Sequence, residues 1–195
     1  LFLKTLSKRE IRSGFAEFVK HSLIADKDQW LHQKTIEKLD DVEWKALLLP
    51  SLKIKKLVVE NDPFEKGWRK ALNFGHTIGH GIEGVFLETD QPLLHGEAIA
   101  IGMICESYLS YKQVGLSKNE LDIISQFLLK IYGKVHLPET LFQEMIQLMK
   151  KDKKNENAQI NFTMLKSIGT AAINQIANEK LIIESLAYYN RLVRR

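Results

Sequence analysis

Residues 97–111 tolerate very few environments. Ala98, Ile99, Ala100, Ile101, Met103, Ile104 and Leu109 leave almost no polar face on a helix. A helix that is apolar nearly all round has to be wrapped by other elements, so this segment reads as a buried central helix. Polar chemistry gathers just before it. Leu94-His95-Gly96-Glu97 leads into the helix, and Asn73-Phe74-Gly75-His76-Thr77-Ile78-Gly79-His80 lies upstream. Together they hold three of the chain's six histidines. On a helix, His76 and His80 share one face, a turn apart, which presents two imidazoles to a metal or an anionic substrate. Gly75, Gly79, Gly81 and Gly84 each cost about 1 kcal/mol relative to Ala in a helix. That cost is tolerated where a missing Cβ lets another backbone or a ligand approach. The zinc-protease pattern is absent, because Thr77 stands where its glutamate would be. From the pattern alone, a metal site, an anion site and packed core histidines all remain open.

Composition excludes several classes. At 195 residues with 45% hydrophobic and 27% charged residues, the chain can build one sizeable core. The net charge of +4 is carried by scattered lysines without an aromatic-plus-basic cluster. This argues against nucleic acid as a partner and suits phosphorylated metabolites. The single Cys105 allows no internal disulfide and fits a reducing, cytoplasmic compartment. No apolar run reaches the roughly 20 residues that span a membrane, and no signal peptide is visible. The sequence opens at Leu1 inside an apolar phrase and reads as part of something longer.

Periodicity predicts a mostly α fold. Helices are expected over 8–25, 28–40, 41–60, 70–86, 97–111, 117–131, 138–150 and 174–192, with Pro50 starting or kinking one of them. At most a short β-hairpin is expected near 160–172. Asn61-Asp62-Pro63 and Gly67 break the pattern before the histidine helix. If that helix is continuous from residue 70, Arg69 and Asn73 extend toward the side that carries His76 and His80. Guanidinium, amide and imidazole together suit a carboxylate or phosphate. Glu17, between Ala16 and Phe18, is either solvated at the edge of an apolar stripe or a buried ligand. Lys53, Lys55 and Lys56 read as a solvated face, as does the run Lys150-Lys151-Asp152-Lys153-Lys154.

Taken together, the phrases resemble one family. They are Lys55, Val58-Val59, Asp62, the run Glu65-Lys66-Gly67-Trp68-Arg69-Lys70-Ala71-Leu72-Asn73 through His80, and Leu93 through Met103. Ser13-Gly14-Phe15-Ala16-Glu17-Phe18-Val19-Lys20 and Met149 with Asp152-Lys153-Lys154 complete the set in order. This combination strongly resembles 3-dehydroquinate synthase over essentially the whole chain. The resemblance implies a C-terminal, mostly helical domain, residues 1–195, that carries the metal and much of the substrate site. The N-terminal NAD-binding α/β domain would lie outside this chain, in keeping with the absence of a G-x-G-x-x-G turn. A surface normally covered by that domain would then face water as an apolar patch.

The resemblance also implies roles. Glu17, His76 and His95 would be the ligands of Zn2+, with another divalent metal such as Co2+ possible. His80 would then lie in the substrate pocket in hydrogen-bonding and proton-transfer roles. Lys20 and Glu65 join it as catalytic candidates, and Lys55, Arg69, Asn73, Lys153 and Lys154 as substrate-binding ones. The implied reaction is the NAD- and zinc-dependent conversion of 3-deoxy-D-arabino-heptulosonate 7-phosphate to 3-dehydroquinate and phosphate, in the shikimate pathway. The full-length protein would be a homodimer, and the isolated domain inactive. Rival readings are another sugar phosphate cyclase, a metal-dependent alcohol dehydrogenase, and a metal-binding helical module without activity.

Overall fold

A computed structural model describes residues 5–151 and 159–194. In chain order these form α1 (Lys8–Ala25), α2 (Lys27–Gln33), α3 (Trp44–Asn61), α4 (His76–Phe86), α5 (His95–Gln113), α6 (Lys118–Tyr132) and α7 (Phe142–Lys151), then β1 (Asn161–Ser167), β2 (Thr170–Ile176) and α8 (Glu179–Val193). Short 3-10 turns occupy Leu39–Asp41, Trp68–Asn73 and Glu139–Leu141. The fold is mostly α with one antiparallel hairpin. No helix among the described residues is long and apolar enough to cross a membrane.

Helix α5 is the axis. From Gly96 to Ser110 every residue is buried, and α1, α4, α6, α8 and β1 pack around it. Local signals fix the surrounding helices. Ser7 and Glu10 form a reciprocal capping box at the start of α1, and Ser117 and Glu120 do the same for α6. Glu120 also accepts the Ile168 N–H of the hairpin turn, while Ser110 Oγ of α5 accepts the Leu165 N–H of β1 at 2.9 Å.

Two acidic residues interrupt the apolar surface of α5, and each ties it to another helix. Glu97 is held by Arg9 and Arg12 of α1 and accepts the Leu94 N–H. Burial alone would raise its carboxyl, but the bonds from Arg9, Leu94 and Arg12 outweigh this and hold it at about 2. Glu106 is fully buried. Its Oε2 accepts the Gly75 N–H at 2.6 Å and its Oε1 the Ile78 N–H at 3.0 Å. The N-terminus of α4, which has no cap of its own sequence, is therefore capped from α5. The positive end of the helix dipole favours an acid there.

The contact of α4 with α5 requires glycine on both sides. Gly75 sits at φ +79°, and a Cβ on Gly102 would lie 2.0 Å from the Gly75 carbonyl oxygen. The left-handed Gly75 breaks the helix expected over 70–86. Arg69 and Asn73 occupy the 3-10 turn before it, not the face of α4. Two further expectations are corrected, and the place of Pro50 is fixed. The helix expected over 28–40 stops at Gln33, whose side chain turns inward to bond Ser22 and the Phe18 carbonyl. Pro50, expected to start or kink a helix, lies inside α3. The hairpin extends to Ile176, beyond residue 172, so the last helix begins at Glu179 and not near 174.

Two predictions follow from this contact. Gly102→Ala forces α4 off α5 and should destabilise the protein by about 1–3 kcal/mol or more in urea unfolding; an unchanged midpoint would contradict the close approach. Glu106→Ala leaves two buried N–H groups unpaired, at about 1–3 kcal/mol each, and Glu106→Gln should lose less. Equal, negligible losses for both would mean that the cap does not hold α4.

Candidate metal centre

The site forms where α1, α4 and the start of α5 converge. His76 opens α4, His80 follows one turn later, and His95 opens α5. Their ring centroids lie 5.3, 5.4 and 5.7 Å apart. One nitrogen from each ring falls within 4.8 Å of the others. Glu17, on α1, brings Oε1 to 3.8 Å from His76 Nε2.

Hydrogen bonds assign the rings. His76 Nδ1 lies 3.2 Å from the Phe74 carbonyl, which can only accept, so Nδ1 carries the proton and Nε2 the lone pair. His95 Nδ1 lies 2.9 Å from Glu83 Oε2, which assigns it likewise. Burial, reinforced by the positive charge of Lys20, pushes the His76 imidazole down to about 2, so the ring is neutral.

Lys20 is 3% exposed and places Nζ 2.9 Å from both oxygens of Glu17. Burial would raise the Glu17 carboxyl, but the charge and hydrogen bond of Lys20 hold it below the usual range. His21 is also buried here. Its Nε2 has no hydrogen-bond partner and lies 3.9 Å from Glu17 Oε2, while Nδ1 meets Ser51 Oγ at 2.6 Å. Burial lowers it to about 4. Two imidazoles whose Nδ1 atoms are engaged and whose Nε2 atoms are left for a ligand, beside a carboxylate, are a donor set that fits a divalent metal such as zinc.

The other candidates surround this cluster. Asp62 organises the loop before the 3-10 turn by accepting the backbone N–H groups of Lys66, Gly67 and Arg69. Within that loop Glu65 adopts φ +55°, a conformation that costs a non-glycine residue of order 1 kcal/mol and collects at functional sites. Its Oε1 accepts from Asn73 Nδ2 at 2.7 Å. Arg69 spends one guanidinium nitrogen on the Pro63 carbonyl. Lys55 is exposed on α3, one turn from Ser51, and its charge is felt at His21. Lys153 and Lys154 lie outside the described residues.

Sequence reasoning missed Glu83, Glu106 and the inward role of His21. Glu83 was legible only as one more position on the His76–His80 face of α4. Glu106 was hidden inside an apolar run.

Residues 14–155 match the family model described as 3-dehydroquinate synthase C-terminal. A 3-dehydroquinate synthase of Parabacteroides distasonis is 39% identical over 191 residues, covering 96% of this chain and 54% of the relative. One from Campylobacter concisus is 37% identical over 186 residues, covering 95% and 53%. The chain thus spans about half the length of these relatives. Among solved structures, a 2-epi-5-epi-valiolone synthase from Streptomyces hygroscopicus with NAD+ and Zn2+ bound superposes with a TM-score of 0.77 at 22% identity, over 98% of this chain and 54% of that one. A 2-deoxy-scyllo-inosose synthase complexed with carbaglucose-6-phosphate, NAD+ and Co2+ gives 0.74 at 23%, over 92% and 51%. At that identity the likeness is one of fold. The matched family model and the curated relatives together make this chain a member of the 3-dehydroquinate synthase family, corresponding to its C-terminal region.

Proposed function

We propose that this chain is the metal- and substrate-binding domain of a 3-dehydroquinate synthase acting on 3-deoxy-D-arabino-heptulosonate 7-phosphate. The observation that carries the reading is the convergence of Glu17, His76 and His95, with Lys20 and His80 beside them. In this reading Glu17 and the Nε2 atoms of His76 and His95 hold a divalent metal, zinc first and Co2+ as an alternative. When bound, the metal would act as a Lewis acid that lowers the pKa of substrate hydroxyls.

The chain's own groups do the rest. Lys20 pins the Glu17 carboxylate and keeps it ionised and oriented. His80, next to both metal-binding imidazoles, is placed to hold or move a proton on the substrate. Asn73, fixed by Glu65, offers an amide to substrate oxygens. Arg69 and Lys55 supply positive charge for carboxylate and phosphate, and Lys153 and Lys154 are assigned the same task. Holding one compact intermediate in reactive geometry is worth a large part of such a rate. NAD is assigned to the other half of the protein, and no residue here is given to it. Leu49, Leu52 and Leu57 of α3 and Phe64 after it are all exposed, and that half is proposed to pack against them. The proposal extends to a cytoplasmic homodimer in the shikimate pathway.

The resemblance gives His80 a different role from His76 and His95, although all three rings cluster. This separates the reading from a metal site made of three histidines. In the intact protein, Glu17→Ala, His76→Ala and His95→Ala should each lose metal, read by elemental analysis, together with turnover. His80→Ala should keep near-stoichiometric metal and lose turnover by about 10²–10⁴-fold. Loss of metal in His80→Ala with retention in Glu17→Ala would overturn the ligand assignment. Product analysis separates this activity from that of another sugar phosphate cyclase built on the same donor set.

A further inference from the structure

We infer that Glu83 is a positioning residue that sets the metal affinity of the site by orienting His95. The inference rests on the metal reading above. Glu83 lies on α4, on the same stripe as His76 and His80, two turns beyond the helix start. From there its Oε2 reaches across to His95 Nδ1 at 2.9 Å. The bond fixes three things at once: the proton on Nδ1, the lone pair on Nε2, and the rotation of a ring that stands at the first position of α5.

The two histidines are treated alike. His76 has its Nδ1 tied to the Phe74 carbonyl, and His95 has its Nδ1 tied to Glu83. His76 is locked by its own backbone turn and by burial. His95 has neither advantage, since its side chain is 47% exposed and that of Glu83 30%. A polar contact this exposed adds little to stability. The same contact, used to orient an imidazole and make it more basic, changes metal affinity by about 10–100-fold. A stability role and a positioning role therefore predict different readouts. The bond also joins α4 to the start of α5, so ring orientation and helix spacing are set together.

The test compares the intact wild-type protein with Glu83→Ala and Glu83→Gln. Zinc affinity is measured by competition with a chromophoric chelator, and the visible absorption of the Co2+-loaded protein is recorded. The expected result is a 10–100-fold weaker zinc affinity for Glu83→Ala, with changed Co2+ bands. The unfolding midpoint of the metal-free protein should not move. Glu83→Gln keeps an acceptor of the same size but not its charge, and should fall between the two. A Glu83→Ala affinity within about twofold of wild type, with superimposable Co2+ bands, would overturn the inference and leave the metal reading intact. A wild-type protein that binds no metal would overturn both. If Glu83→Ala fails to fold, Glu83→Gln decides alone, and an affinity equal to wild type then refutes the positioning role.

Discussion

The fully buried carboxyl group of Glu106 reaches from α5 to the Gly75 and Ile78 N–H groups, and the placement of the histidines depends on this contact. A short helix rich in glycine has little intrinsic stability. Helix α4 gains a cap from its neighbour instead of from its own sequence, and its first residue is His76. The same contact brings Gly102 against the Gly75 carbonyl, so the two backbones meet at a distance that no side chain would permit. His76, His80 and His95 then face one another because two helix starts are held side by side.

The charges around the cluster follow a consistent arrangement. Lys20 is buried against Glu17, and the imidazoles nearest to them are kept neutral by burial and by that lysine's charge. The Glu17 carboxylate and the uncharged His76 ring are left side by side at the cluster. Behind this layer, Arg9 and Arg12 bind Glu97 at the third position of α5, joining α1 to the helix that carries His95. Helix α1 thus supplies both a proposed ligand and the clamp that fixes the helix of another.

Much of the fold was legible because its strongest signals are periodic. The amphipathic stripe of Phe15, Val19 and Leu23 and the apolar run of α5 are enough to place those helices within a residue or two of their observed bounds. The break at Gly75 was less visible. A glycine in a helical pattern is ambiguous until the partner that needs its open side, here Gly102, is known. Glu106 was invisible for a related reason: an acid within an apolar helix finds its partners in a segment about thirty residues away, and no local pattern reports them. The nearness of Glu17 to His76 is also a tertiary fact. Spacing could pair only His76 with His80; the position of Glu17 in its stripe left it either solvated or a ligand, and the resemblance alone chose between them. The hairpin end was misplaced because Ala171 through Ile176 suits strand and helix about equally on local preference.

The central claim is that Glu17, His76 and His95 hold one metal ion while His80 stands beside it. The most direct test is a crystal structure of the zinc-loaded protein with an anomalous difference map at the zinc edge. The account predicts one strong peak at about 2.0–2.2 Å from a Glu17 oxygen and the Nε2 atoms of His76 and His95, with His80 outside bonding distance. A peak bonded to His80 in place of Glu17, or no peak at the cluster, would contradict it.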